Sequence, residues 1–244
     1  MSFNAKKCKI VHVGHGNPKY SYSMNGYQIE ATNQEKDLGV IIESSMKPGK
    51  QCAQAAKSAN FALGQIQRAF HYRKKSSLVP LFKTFVRPKL EFAAAAWSPW
   101  TAQDKKQLEK VQERMIRMVS DAKGDTYEER LRDAGLTTLE ERRIRGDAIE
   151  TFKTLKGLNG IDKEKWFRIE PEDTRATRRN TEVTEDGERR RSDVLQVEAA
   201  RLEVRKNFFS IRAAKAWNDI PDEVKNQKSV NAFKNGYDKW QLDK

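Results

Sequence analysis

The stretch Gln51-Cys-Ala-Gln-Ala-Ala-Lys-Ser-Ala-Asn-Phe-Ala-Leu-Gly-Gln-Ile-Gln-Arg-Ala-Phe70 sets Cys52, Ala56, Ala59, Leu63, Ile66 and Phe70 at alternating intervals of four and three. That spacing draws one apolar stripe along an α-helix, with Gln54, Lys57, Gln65 and Arg68 opposite it. Upstream the period is two rather than 3.6. Residues 8–13 (Cys-Lys-Ile-Val-His-Val) are β-branched and short, and Tyr20-Ser-Tyr-Ser-Met24 alternates before Asn25-Gly26. That dipeptide suits a type I′ turn, with Tyr27-Gln-Ile29 as the return strand. Lys36-Asp-Leu-Gly-Val-Ile-Ile42 reads as one more strand, and Met46-Lys-Pro48-Gly49 as the break before the helix. The first 45 residues are therefore expected to form a small antiparallel β unit.

Downstream, helices dominate. A second one is expected from about Ser77, burying Leu78, Leu81, Phe82, Phe85 and Val86, until Pro88 bends or restarts it. Three more begin at capping boxes, Thr101/Asp104, Thr126/Glu129 and Thr138/Glu141. The first carries Leu108, Val111, Met115 and Met118, and the third Ile144, Ala148, Phe152 and Leu155. Between Glu170 and Asp193 large apolar residues almost vanish, which reads as a solvated linker. Order returns from Val204 to Trp217, and Ser229 starts a last helix with the stripe Val230, Phe233, Tyr237, Trp240. The expected class is α+β, predominantly α-helical. The expected segments are a β unit over 1–46, a helical bundle over 50–160, a partly disordered linker over 161–200 and a helical extension over 201–244.

Composition narrows the partners. The 244 residues carry 47 Lys+Arg against 34 Asp+Glu, a net charge of +13 with a pI near 9.7. Such an excess favours a polyanion. Residues 51–100 hold Lys57, Arg68, Arg73, Lys74, Lys75, Lys83, Arg87 and Lys89 against the single acid Glu91. More than half of the excess lies there. Arg73-Lys74-Lys75 falls in the expected turn between two helices, where three side chains could reach a nucleic-acid backbone together. Residues 101–200 are densely charged but balanced, as solvated helix faces are.

Other chemistry finds little support. Cys8 and Cys52 alone make no disulfide framework or zinc knuckle, which points to a reducing, intracellular compartment, nucleus or cytoplasm. No apolar run approaches a membrane span, so no membrane association is expected. His12, His15 and His71 have no carboxylate or Cys at ligand spacing, and no glycine motif cradles phosphate. Trp97, Trp100, Trp166, Trp217 and Trp240 each sit in an apolar pattern and read as core rather than as base-stacking platforms. Arg189-Arg190-Arg191 is diluted by Asp186, Glu188 and Asp193 and reads as part of the solvated linker rather than an import signal.

A set of short blocks, in order, resembles one family: Phe3-Asn-Ala-Lys-Lys-Cys-Lys9, Glu35-Lys-Asp-Leu-Gly-Val40, Leu81-Phe-Lys-Thr-Phe-Val-Arg-Pro88, Leu90-Glu-Phe-Ala-Ala-Ala-Ala-Trp97, Gly135-Leu-Thr-Thr-Leu-Glu-Glu-Arg-Arg143, Asn207-Phe-Phe-Ser210 and Ser229-Val-Asn-Ala-Phe-Lys234. They look like the palm end, thumb and carboxy-terminal extension of reverse transcriptases from jockey-like and CR1-like non-LTR retrotransposons. The resemblance implies that the helices from residue 51 form a thumb lying along a template–primer duplex of RNA or DNA. It also implies that Lys36, Leu38 and Gly39 belong to a primer-supporting block.

Lys57, Arg68, Arg73, Lys74, Lys75, Lys83, Arg87 and Lys89 would then track phosphates without reading bases. The family's catalytic carboxylates hold Mg²⁺ from an aromatic-x-Asp-Asp turn upstream of these blocks. This chain contains no Asp-Asp pair, so alone it is expected to bind without catalysis and without a cofactor. Two other readings stay open. The chain is the end of a longer, active reverse transcriptase, or it is a domesticated protein-interaction module. Palm strands without their sheet would also favour self-association.

Overall fold

The computed structural model describes residues 4–14, 16–170, 182–183, 189–190 and 194–244. Over these the protein is α+β and predominantly helical. It divides into two compact units, Met1–Leu139 and Glu140–Lys244, and the boundary falls inside the segment grouped above as one bundle over 50–160. His15 and most of the predicted linker between Glu170 and Asp193, Arg191 included, lie outside the described residues.

Unit 1 opens with a 3-10 turn, Ala5–Lys7, whose Lys6 N–H is accepted by the Asn4 side chain at 3.1 Å. Six short strands follow: β1 (Lys9–Val11), β2 (Ser23–Met24), β3 (Tyr27–Gln28), β4 (Glu30–Thr32), β5 (Gln34–Asp37) and β6 (Val40–Glu43). The β2–β3 hairpin turns at Asn25 and Gly26 with φ of 51° and 76°, as the dipeptide predicts.

Two expectations for this region fail. The unit is not wholly antiparallel, because β1 pairs parallel with β4, Lys9 opposite Glu30, where the two side chains also form an ion pair. Residues 36–42 are not one strand but most of a hairpin, β5–β6, with Lys36 opposite Ile41 and a reversal at Leu38 and Gly39. Both turn residues have positive φ, 44° and 90°. Glycine adopts this without cost, whereas a leucine there carries strain that propensity does not anticipate.

Helix α1 (Gly49–Ala69) buries Cys52, Ala56, Ala59, Leu63 and Ile66. Phe70, predicted on the same stripe, instead ends the helix in an extended conformation and is exposed. The second predicted helix is three pieces: α2 (Lys75–Leu81), a π-helical turn (Phe82–Val86) and α3 (Arg87–Glu91). Leu78, Phe82, Val86 and Leu90 are all fully buried at a strict interval of four. A 3.6-residue turn would rotate such a row off the core, and the wider π turn keeps it facing inward. The same register turns Phe85 outward, against expectation, at 55% exposure.

After α4 (Ala94–Trp97), α5 (Ala102–Met118) is capped by Thr101, and α6 (Tyr127–Asp133) by a reciprocal Thr126/Glu129 box. The small residues Ala55, Ala56 and Ala59 let α1 come close to α5, whose Leu108, Val111, Met115 and Ile116 complete the core.

Unit 2 contains most of α7 (Leu139–Leu155), then α8 (Lys163–Trp166). Two-residue strands β7 (Glu182–Val183) and β8 (Arg189–Arg190) pair antiparallel. Then come α9 (Glu203–Lys206), α10 (Phe209–Asn218), α11 (Asp222–Lys225) and α12 (Val230–Leu242). Ala148, Phe152, Trp217, Phe233 and Tyr237 form its core, with the Phe152 and Phe233 rings stacked 4.5 Å apart. Ser229 caps α12 through the Ala232 N–H, as its position before the last stripe predicts.

Ile144, predicted inside, is exposed, while Arg143, Asp147 and Thr151 of the same helix are buried. Trp166 also departs from the core expectation. It is 37% exposed and stacks on Phe208.

Candidate nucleic-acid interface

On the side of α1 away from the core, Lys57, Phe61, Gln65 and Arg68 follow one another at intervals of four, four and three, forming a surface row. Beside this row runs a groove of about 670 Å³. Its walls include Phe61, Phe85 and Phe92, 68%, 55% and 56% exposed, and Lys36, Gly39 and Lys89 also line it. Ala55, Ala62 and Ile66 of α1 line the groove as well. Its polar lining is neutral, from Gln54, Ser58, Gln65 and Thr84, and no Asp or Glu occurs among the described residues that line it.

Two contacts hold the β5–β6 hairpin, one from α1 and one from Phe92 after α3. The Gln51 Oε1 accepts the Ile41 N–H at 2.9 Å, a part-buried bond that ties β6 to α1. At the turn, a Cβ placed on Gly39 would lie 3.0 Å from Cε1 of Phe92, so the ring rests close against bare backbone. Phe92 is held in turn by its own carbonyl, which accepts the Trp97 indole N–H at 2.8 Å. The chain just after Phe92 passes through the left-handed region at Ala93, φ 50°.

The predicted residues divide by this geometry. Lys36, Gly39 and Lys89 meet in the groove, and Lys57 and Arg68 are exposed on the adjoining face of α1. Leu38 stands at the tip of the turn, 90% exposed. The triplet at 73–75 does not reach outward together. The Lys75 Nζ donates to Asp133 at 2.7 Å, and its backbone N–H donates to Asp121 at 2.7 Å. Asp133 is held below the usual carboxylate range, first by that Lys75 bond and then by the Lys123 N–H.

The Arg73 carbonyl accepts the Ser120 N–H at 2.8 Å, which pins the loop. Lys74 is exposed with its ammonium 5.3 Å from the Tyr72 ring centroid, and its hydrogen bond to Tyr72 raises its pKa, so it stays charged. Lys83 reaches the Gly135 carbonyl at 3.5 Å, and Arg87 lies 3.9 Å from Glu91.

The three phenylalanines are the part of the site that the sequence reading missed. Phe85 was assigned to the core, and Phe61 and Phe92 were assigned no role. A signal existed for Phe61, which shares its helical face with Gln54, Lys57, Gln65 and Arg68.

Among the described residues, no three His, Cys, Asp or Glu side chains gather as a metal site, and no helix is long and apolar enough to cross a membrane. Compared with known proteins, the chain matches no family model, no curated protein and no solved structure.

Proposed function

We propose that this chain is the thumb-bearing carboxy-terminal part of a non-LTR retrotransposon reverse transcriptase, an RNA-directed DNA polymerase, and that it binds template–primer nucleic acid through the phosphate backbone. The observation that carries the reading is the groove of unit 1, which has Lys36 and Lys89 in its lining, Lys57 and Arg68 exposed on the adjoining helix α1, and no carboxylate among the described residues that line it. Cations set this way attract a polyanion without selecting a sequence. In this reading the chain grips and does not copy. The Mg²⁺-holding carboxylates of the family belong to a turn that precedes the matched blocks.

Fluorescence anisotropy with a labelled RNA–DNA hybrid tests the reading. Lys36, Lys57, Arg68, Arg73, Lys74 and Lys89 together neutralise about six phosphates, so affinity is expected to fall roughly 10³-fold between 50 and 200 mM salt. Reversing charge in K57E/R68E/K89E should weaken binding and cut that loss to about 40-fold. Absence of binding at 50 mM salt, or an unchanged salt slope in the triple variant, overturns the proposal.

A second reading, self-association, rests on the small β elements. Tyr20, Tyr22 and Tyr27 are each more than half exposed around a two-stranded hairpin with open edges. Native mass spectrometry decides it, and a monomer at micromolar concentration removes it.

A further inference from the structure

Phosphate contacts alone leave the aromatic walls of the groove without a purpose. Phe61, Phe85 and Phe92 come from α1, the π-helical turn and the residue after α3, and all three are more than half exposed in one groove. Three large apolar rings exposed in one groove, beside Lys36, Lys89 and the neutral Gln54, Ser58, Gln65 and Thr84, form a patch that calls for an occupant. An occupant of this groove has to offer flat apolar faces, groups that pair with neutral amides and hydroxyls, and negative charge at its margins. A single strand of nucleic acid offers all three. Its unpaired bases present π-faces and edge donors and acceptors, and its phosphates lie outside them. A duplex hides its base faces in the stack and leaves these rings with little to meet.

We propose that the groove takes unpaired bases, stacked on Phe61 and Phe85, with the strand's phosphates held by Lys57 and Arg68 on α1 and by Lys36 and Lys89 of the lining. Lys57 and Arg68 are eleven residues apart on α1, about 16 Å along its axis, a length that suits a short strand better than one phosphate. The volume near 670 Å³ falls within the roughly 300–1,000 Å³ of sites that enclose a small organic group. Phe92 has a different part. Packed close against Gly39, it lines the groove and supports the β5–β6 turn. An acidic amphipathic peptide is the rival occupant. It would match the cations and the apolar lining, but its aliphatic side chains would leave the exposed flat faces of Phe61 and Phe85 without a stacking partner.

The inference rests on the nucleic-acid reading above, and the experiment separates the two. Anisotropy at 50 mM salt compares three labelled probes on the full chain: a twelve-nucleotide oligo-dT, the same backbone with abasic residues throughout, and a twelve-base-pair blunt duplex. Oligo-dT is expected to bind at least 5-fold tighter than the abasic strand. F61L and F85L should each cost roughly 5- to 150-fold on oligo-dT, the range of one base–aromatic stack, and leave the abasic strand and the duplex unaffected. Both side chains are exposed, so circular dichroism of the variants should match the parent.

If oligo-dT and the abasic strand bind equally while the duplex binds well, base stacking is overturned and the backbone reading stands. If none of the probes binds, both fall. If an acidic amphipathic helical peptide binds and loses affinity in F61L and F85L while the oligonucleotides ignore those changes, the groove belongs to a protein partner and the inference is overturned.

Discussion

Removing the guanidinium of Arg212 should cost unit 2 more stability than any change to its surface cations. In α10, the Arg212 Nε donates to Asp147 Oδ2 at 2.8 Å and its Nη2 to Oδ1 at 3.1 Å, a bidentate pair joining α7 and α10. Nη1 also donates to the Asn207 carbonyl at 2.8 Å. The two side chains are only 18% and 9% exposed. Burial pushes the Asp147 carboxyl up, and the bond to Arg212 pulls it back. R212M keeps much of the side chain's bulk and removes the charge, leaving a carboxylate in a largely dry site. Breaking a buried pair from one side costs about 3–5 kcal/mol, so a loss of about 3 kcal/mol is expected at pH 7.5.

Replacing both partners, as D147L/R212M, removes the orphaned charge and should restore most of that loss. Because the folded-state pKa of Asp147 lies above its unfolded value, the folded form binds the proton more readily, and its penalty grows as pH rises above the ordinary carboxylate range. Without Arg212 that pKa climbs further. The defect in R212M should therefore shrink from pH 7.5 to pH 5. Urea titration read by amide exchange on peptides of α7 and α10 reports unit 2 directly. A loss below about 1 kcal/mol, a double variant no better than the single, or a defect equal at both pH values would refute the argument.

Three other outcomes follow from local geometry. T126A deletes the oxygen that accepts the Glu129 N–H at 3.2 Å and should cost about 1 kcal/mol in urea unfolding. The Asp125 and Thr126 N–H groups hold Glu129 below the usual carboxylate range, so its contribution is full above that range and is lost as pH falls, and E129Q should remove this part of the acid sensitivity. G39A places a Cβ at φ 90° and 3.0 Å from the Phe92 ring, so it should lower stability by roughly 1 kcal/mol and weaken oligo-dT binding more than duplex binding. Equal loss on both probes would separate Gly39 from the groove.

What the sequence made legible follows from the range of the forces involved. The faces of α1 and α5 and the caps at Thr101, Thr126 and Ser229 depend on neighbours within four residues, and the structure has them where the spacing puts them. The Asn25-Gly26 turn is local in the same way. Leu38-Gly39 was missed because nothing local rewards a leucine at φ 44°. The reward comes from Phe92 and from Gln51 bonding to Ile41, contacts made only after α1 and α3 are in place. The π turn has the same origin, since Leu78, Phe82, Val86 and Leu90 are apolar in any register and only the core selects an interval of four. Asp147 falls in the densely charged, balanced stretch that reads as solvated helix faces, yet it is buried, because charge is a good guide to exposure except where a partner, here Arg212, arrives from 65 residues away.

Charge and shape give different information about the candidate site. The concentration of cations between Lys57 and Lys89 is visible in the sequence, but the sequence treats the eight side chains as equals. Folding ranks them. Lys75 is turned onto Asp133, Lys83 onto the Gly135 carbonyl and Arg87 towards Glu91, whereas Lys57, Arg68 and Lys89 keep their exposure beside the phenylalanines. A solvent-accessible pair such as Lys75–Asp133 is weak, so a phosphate can compete for that lysine, but only by displacing a carboxylate first. Among the described residues Lys57, Arg68 and Lys89 have no carboxylate within ion-pair distance, and they lie in or beside a groove of unit 1 where aromatic faces are also exposed. Electrostatics brings a polyanion to this part of the surface, and Phe61 and Phe85 decide whether a strand with free bases stays longer than a closed duplex.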